Sequence, residues 1–202
     1  ADLDRCLALS ADDARVWLQR GHVRKAANDL RGALADFDRA IELAPDDVKA
    51  LEARAGLREQ FGDPEGAAAD LTRVIELAPR DPAGHTNRGT LRMRRGDLSG
   101  ARSDLDRAIE LDPTFAGAWV NRGILRALHV GDLQGGIDDY SRALELKPDD
   151  ALTLGARGLA RLNSGDLVGA EADYTRSIEL DPRSPETYLN RGLIRAQRGD
   201  VA

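Results

Sequence analysis

The chain has 202 residues, 42% hydrophobic and 32% charged, with 29 basic against 35 acidic residues and a formal net charge of −6. This composition excludes wholesale disorder, and the acidic balance argues against a nucleic-acid binder, which needs a basic face for phosphates. The single cysteine, Cys6, excludes a disulfide framework and fits a reducing compartment, so a cytoplasmic location is expected; with no apolar run of about 18 residues, no membrane insertion is expected.

Proline sets a period. Pro45, Pro79, Pro113, Pro148 and Pro182 lie 34, 34, 35 and 34 residues apart, each closing a phrase like Ile41-Glu42-Leu43-Ala44. A fixed period of this size signals stacked supersecondary units. In chain order, residues 1–10 read as the second helix of an incomplete leading unit. Residues 14–47 form the first full unit, with Asn28-Asp29 as its turn, and 48–81 the second, with Gly62-Asp63. In the third, 82–115, a helix over 82–95 begins on Pro82, where a missing N–H costs nothing. Gly96-Asp97 breaks it, glycine suiting the left-handed helix end and aspartate the next N-cap. The second helix, 98–111, carries Leu98, Ala101, Leu105, Ala108 and Ile109 on one stripe and stops at Asp112-Pro113. Residues 116–150 form the fourth unit, with Gly131-Asp132 and one extra residue, placed here in the turn after Leu128-His129-Val130. Residues 151–184 turn at Gly165-Asp166, and 185–202 are a further half unit reaching Gly199-Asp200. Neither end reads as a polar capping helix, so the chain is expected to be a segment of a longer protein.

Within each unit small residues face large ones. Gly21, Ala55, Gly89, Gly123, Gly158 and Gly192 recur in the first helix, and Ala33, Ala67, Ala101, Gly136 and Ala170 in the second. Phe37, Leu71, Leu105, Tyr140 and Tyr174 fill the facing gaps. One pair cannot bury both its faces, so neighbouring pairs are required.

These positions resemble the tetratricopeptide repeat family along nearly the whole chain. The family pattern appears as a bulky fourth residue (Trp17, Leu51, Trp119, Leu154, Tyr188, with His85 departing), a small eighth, alanine at the twentieth, a large twenty-fourth and proline at the thirty-second. The resemblance implies an all-α fold: a right-handed α-α superhelix, a solenoid of antiparallel helix pairs with a concave groove lined mainly by first helices.

Two arginine columns depart from the common pattern: Arg20, Arg54, Arg88, Arg122, Arg157 and Arg191, and four residues on, Arg24, Arg58, Arg92, Arg126, Arg161 and Arg195. The second helices carry Asp2, Asp36, Asp70, Asp104, Asp139 and Asp173. Two readings stand. The columns form an internal ladder of forked ion pairs, or they face an acidic or phosphorylated ligand.

By the resemblance, the partner-binding groove is lined by Leu18, His22, Thr86, Asn87, Thr90, Val120, Asn121, Ile124, Leu159, Leu162, Asn190 and Leu193. An apolar strip of this kind suits an amphipathic helix or a peptide with hydrophobic anchors. Asn87, Asn121 and Asn190 are similar to the asparagine ladder in repeats of O-GlcNAc transferases, interrupted here by Ala53 and Ala156. The lysine of the carboxylate clamp found in chaperone-binding members is absent.

No catalytic or metal-binding constellation is apparent, and no cofactor is expected. His22, His85 and His129 lie in separate units without metal spacing. Gly131 to Gly136 lacks the Lys-Ser/Thr of a phosphate loop. The expectation is a non-enzymatic scaffold binding a protein or peptide ligand. The alternatives are a substrate-recruiting segment of a multidomain glycosyltransferase or kinase, and a scaffold that self-assembles by end-to-end homo-association.

Overall fold

The structure, a computed structural model, describes residues 2–199. Ala1 of the expected leading half unit, and residues 200–202 of the expected final one, lie outside the described residues. Among the described residues there are twelve α-helices and no strand. They group into two compact units, divided in sequence between Leu91 and Arg92.

The first unit holds α1 (Asp2–Leu9), α2 (Ala14–Ala26), α3 (Leu30–Leu43), α4 (Val48–Gln60), α5 (Pro64–Leu77) and α6 (Pro82–Arg94) as far as Leu91. Helices α2 and α3 pack as a pair, as do α4 and α5. The second unit contains α7 (Leu98–Leu111), α8 (Ala116–Ile124), α9 (Leu133–Leu146), α10 (Ala151–Ser164), α11 (Leu167–Leu180) and α12 (Pro185–Gln197), with α8 against α9 and α10 against α11.

The punctuation has local causes. Asp63, Asp97, Asp132 and Asp166 cap the second helices, each accepting from the backbone N–H three residues on. The preceding residue, Gly62, Gly96, Gly131 or Gly165, has φ between 76° and 88°, and Asn28 takes the same role at 63°. At the far end, Ala44, Ala78, Asp112, Lys147 and Asp181 leave the helical region, each directly before its proline.

Size complementarity fixes each pair. In the first unit, Phe37 is fully buried with Ala33, Ala40, Ala50 and Leu57. A Cβ on Gly21 would collide with the Phe37 ring. In the second, a Cβ on Gly123 would lie 2.7 Å from Tyr140 Cε1, and one on Gly158 3.0 Å from Tyr174 Cε1. Where the large residue is Leu71, the facing position tolerates Ala55. Each such ring or leucine, fully buried, contributes about 1.5–3 kcal/mol.

The extra residue of the fourth repeat is not accommodated in the turn. It is absorbed one step earlier, where α8 runs into a π-helical segment, Leu125–Val130. Elsewhere the capping aspartate N–H reaches back five residues, as Asp97 does to Arg92 O; here Asp132 reaches back six, to Arg126 O, at 2.9 Å. The widened turn keeps Leu125 and Ala127 buried and Gly131 in the left-handed region. Burial of both flanks decides the outcome, since a longer turn would have moved one of them out of register.

Candidate partner-binding surfaces

The arginine columns are the first side chains to place, because they decide which surfaces remain for a partner. Arg20 donates from Nε and Nη2 to both oxygens of buried Asp36, at 2.9 and 2.7 Å, and from Nη1 to Asp4 at 2.7 Å. Arg54 repeats this with Asp70 and Asp38, and Arg122 with Asp139 and Asp106. Arg157 holds Asp173 in the same fork, its third contact being the Ser141 hydroxyl. Arg88 and Arg191 reach the matching Thr72 and Thr175.

The second column closes the other side. Arg24, Arg58, Arg92, Arg126 and Arg161 each donate to the buried aspartate of their own pair at 2.7–2.9 Å. Each also reaches the backbone carbonyl of a glycine near the start of the following helix, at 3.2–3.4 Å. Asp36 and Asp139 are 1% and 2% exposed, so two cations balance one desolvated carboxylate. Burial works to lower the proton affinity of Arg122, and hydrogen bonds to Asp139 and Asp106 outweigh it, holding the guanidinium above its ordinary value. Arg20 and Arg122 also lie over the rings of Trp17 and Trp119, 4.8 Å from each centroid, and Arg191 lies over Tyr188. These forked pairs make the columns an internal ladder within each unit. Its links tie a first helix to its own partner and to the second helix before it.

The groove residues divide accordingly. In the first unit, Leu18 is buried against Phe37, Ala53 and Leu57, so it belongs to the core rather than to a contact surface. Thr86 is buried too, its hydroxyl donating to Pro82 O. Thr90 is half-buried and donates to Thr86 O. His22 is exposed, with its ring edge-on to Phe37 at 5.2 Å. Asn87 is exposed and lies 3.4 Å from Glu52 Oε1. Burial pushes the Glu52 carboxyl up from its ordinary value, with Asp81 adding and Asn87 opposing.

In the second unit, Val120 and Ile124 are half-buried against the cluster of Ala127, Ile137, Tyr140 and Ala160. Asn121 turns its amide back onto Gly117 O at 2.8 Å. Leu162 packs on Ala170, Tyr174 and Ile194. Leu193 is 52% exposed. Leu159 and Asn190 line one cleft of about 250 Å³, bounded by α10, α11 and α12. That cleft also takes Leu152 and Tyr174, the latter expected from the repeat pattern as a gap-filling core ring, and Gly155 and Glu186, which that pattern did not place in a groove. Among the described residues no group of three or more His, Cys, Asp or Glu side chains is placed to hold a metal, and no helix is long and apolar enough to cross a membrane.

A family model for the tetratricopeptide repeat matches residues 18–82, 86–151 and 156–202. The chain belongs to the tetratricopeptide repeat family, an all-α solenoid class whose members serve in general as protein-interaction scaffolds. No curated protein matches it. Among solved structures, a chain of the APC/C hetero-tetramer Cut9–Hcn1 is similar over 97% of this chain and 39% of its own length, with 17% identity and a TM-score of 0.84. The repeat protein TTC0263 of the thermophile Thermus thermophilus covers 91% of this chain and 99% of its own, with 24% identity and a TM-score of 0.74. YrrB, described as having an unusual peptide-binding site, covers 94% and 97%, at 17% identity and a TM-score of 0.62. At these identities the likeness establishes the fold.

Proposed function

We propose that the chain is a non-catalytic scaffold that docks an extended peptide or a helix of a partner protein on the inner faces of its first helices. The supporting observation is a row of uncovered leucines on α10 and α12. Leu152, Leu189 and Leu193 are 85%, 62% and 52% exposed, and Leu159 and Asn190 stand in the cleft between the two helices. Water-exposed leucines at this density mark an interaction surface rather than a solvated helix face. The arginines that fork onto the buried aspartates do not compete for this role; on α12, Arg191 reaches the Thr175 hydroxyl and Arg195 pairs with Glu171. A helix-in-groove or extended-peptide mode uses such a row as anchors.

Peptide display against residues 1–202 tests the reading. Selected peptides are expected to lose binding to the Leu193→Asp variant and to keep it for an outer-surface control, Arg107→Asp. Circular dichroism checks that both variants fold. Failure to enrich any peptide, or binding insensitive to Leu193→Asp, rejects the reading. Ile124 is unsuitable for this test, because its side chain packs on two core clusters.

A further inference from the structure

Among the described residues, α1 is a second helix that lacks its first, and α12 a first helix that lacks its second. Asp2–Leu9 of α1 matches Asp36–Leu43, the end of α3, position for position. In a complete pair the first helix covers this stripe. Asp36, Phe37 and Ala40 are buried on α3, as are Asp173, Tyr174 and Ser177 on α11. On α1 the matching Asp2 and Cys6 are exposed and Leu3 is half-buried. Leu9 is 86% exposed, where Leu43 is half-buried. Asp2 has no ion pair among the described residues. α1 packs on α2 through its other side, where Leu7 is buried and Asp4 accepts from Arg20 Nη1 at 2.7 Å.

α12 shows the converse. A Cβ on Gly21, Gly123 or Gly158 would meet the large ring of its own pair, but one on Gly192 would meet nothing within 4 Å. Arg191 finds no carboxylate; its Nη1 lies 3.4 Å from the Thr175 hydroxyl and its guanidinium lies over Tyr188. The counterparts of Arg195 donate to the buried aspartate of their own pair, whereas Arg195 turns to Glu171 at 2.8 Å. Arg198 already holds that glutamate at 2.7 Å. The bare groups therefore match. α1 carries the aspartate that two arginines would share, and α12 carries the two arginines. α1 carries leucine at the large position, and α12 an open glycine at the position that faces it. Such complementarity selects a partner and fixes its register.

We propose that the bare faces of α1 and α12 bind each other between copies of this chain, α1 of one copy completing the helix pair that α12 of another begins. Asp2 accepts from Arg191 and Arg195, Leu3 stands over Gly192, and Cys6 is covered as Ala40 is. Val23 is 57% exposed, where the matching Leu57 is fully buried against Leu18. In the assembly it covers Leu189, the counterpart of Leu18. Leu193 corresponds to exposed His22 and stays open, so the peptide-docking reading does not depend on this contact. The contact is heterologous. A dimer leaves one face of each kind free, and assembly continues past it.

Sedimentation velocity of residues 1–202 under reducing conditions, from about 1 to about 500 μM, tests this, with a dissociation constant on the order of 100 μM expected for a contact of one helix. The weight-average mass should rise past that of two chains. Cys6 reports the contact itself: its alkylation by iodoacetamide should slow about threefold at the upper concentration. Gly192→Leu, which fills the open position, should abolish both signals. Asp2→Arg should remove association, as should Arg191→Asp combined with Arg195→Asp, and these two charge-reversed proteins should associate again when mixed in equal amounts. Circular dichroism checks that each variant folds. A parent that stays monomeric throughout overturns the proposal, as does association that neither protects Cys6 nor responds to Gly192→Leu. Failure of the charge-reversed mixture to associate overturns it too. Peptide selection by a strictly monomeric chain would leave the docking reading standing.

Discussion

Arg122 grips Asp139 through two parallel hydrogen bonds of 2.9 and 2.7 Å, and its remaining nitrogen reaches Asp106 at 2.8 Å. One guanidinium thus fastens α8 to α9 in its own pair and to α7 in the pair before. Asp139 is 2% exposed, so its charge depends on this partner and on Arg126. Replacing Arg122 with methionine keeps most of the hydrocarbon stem and removes the fork. Arg126 still compensates Asp139 in part, so the expected loss is roughly 2–3 kcal/mol, measured by urea unfolding. Asp139→Asn should cost more, roughly 3–5 kcal/mol, because it leaves two arginines facing one neutral amide. A methionine variant as stable as the parent would contradict a structural ladder.

Glycine substitutions should split by what stands opposite. A Cβ at Gly123 meets Tyr140 Cε1 at 2.7 Å, whereas one at Gly56, in the middle of α4, meets nothing within 4 Å. Gly123→Ala is expected to destabilise by roughly 1–3 kcal/mol through forced displacement of a buried ring. Gly56→Ala is expected to stabilise by about 0.5–1 kcal/mol, because alanine restricts the unfolded chain and favours helix. Thermal melts of the two variants should move in opposite directions.

The caps and stops were legible because they are local: Asp97 and Pro113 act on their own few residues, whatever the rest of the chain does. The pairing of Arg54 with Asp70 was one of two readings, since spacing puts both in adjacent helices without showing which way the side chains turn. Burial of individual groove positions was not legible. Leu18 is buried because Ala53 and Leu57, in the next helix pair, close over it; a position rule for one helix carries no information about that neighbour. The cleft among α10, α11 and α12 was legible only in part: Leu159 and Asn190 were expected in a groove, whereas Tyr174 reads as a core ring.

High pH offers a direct probe of core phenol burial. Burial, with Asp139 adding, pushes the Tyr140 phenol up to about 12 from an ordinary value of 10.0. The fold therefore favours the neutral phenol. Its contribution to stability is fully present below pH 10, and it falls away as pH rises from 10 through about 12, because the unfolded chain ionises first. Absorbance near 295 nm, recorded as parent minus Tyr140→Phe, should titrate with a midpoint near 12. A midpoint near 10 would mean that water reaches the phenol in the folded protein.

The π-helical segment and Gly136 form a linked pair. A Cβ on Gly136 would stand 2.7 Å from Ala127 Cβ and 3.1 Å from Gly123 O, while the equivalent Ala101 and Ala170 are accommodated and fully buried. Glycine at 136 is thus explained by the widened turn beside it. Removing exposed His129 restores the spacing of the other repeats and allows Asp132 N–H to reach back five residues to Arg126 O. In the parent, Gly136→Ala is expected to cost roughly 1–3 kcal/mol. In the His129-deleted background the same change should be neutral or stabilise by up to about 1 kcal/mol, because Ala127 no longer crowds the site. Denaturant unfolding of the four proteins gives the coupling directly. An equal effect of Gly136→Ala in both backgrounds would break the link, leaving the glycine to be explained by Gly123 O alone.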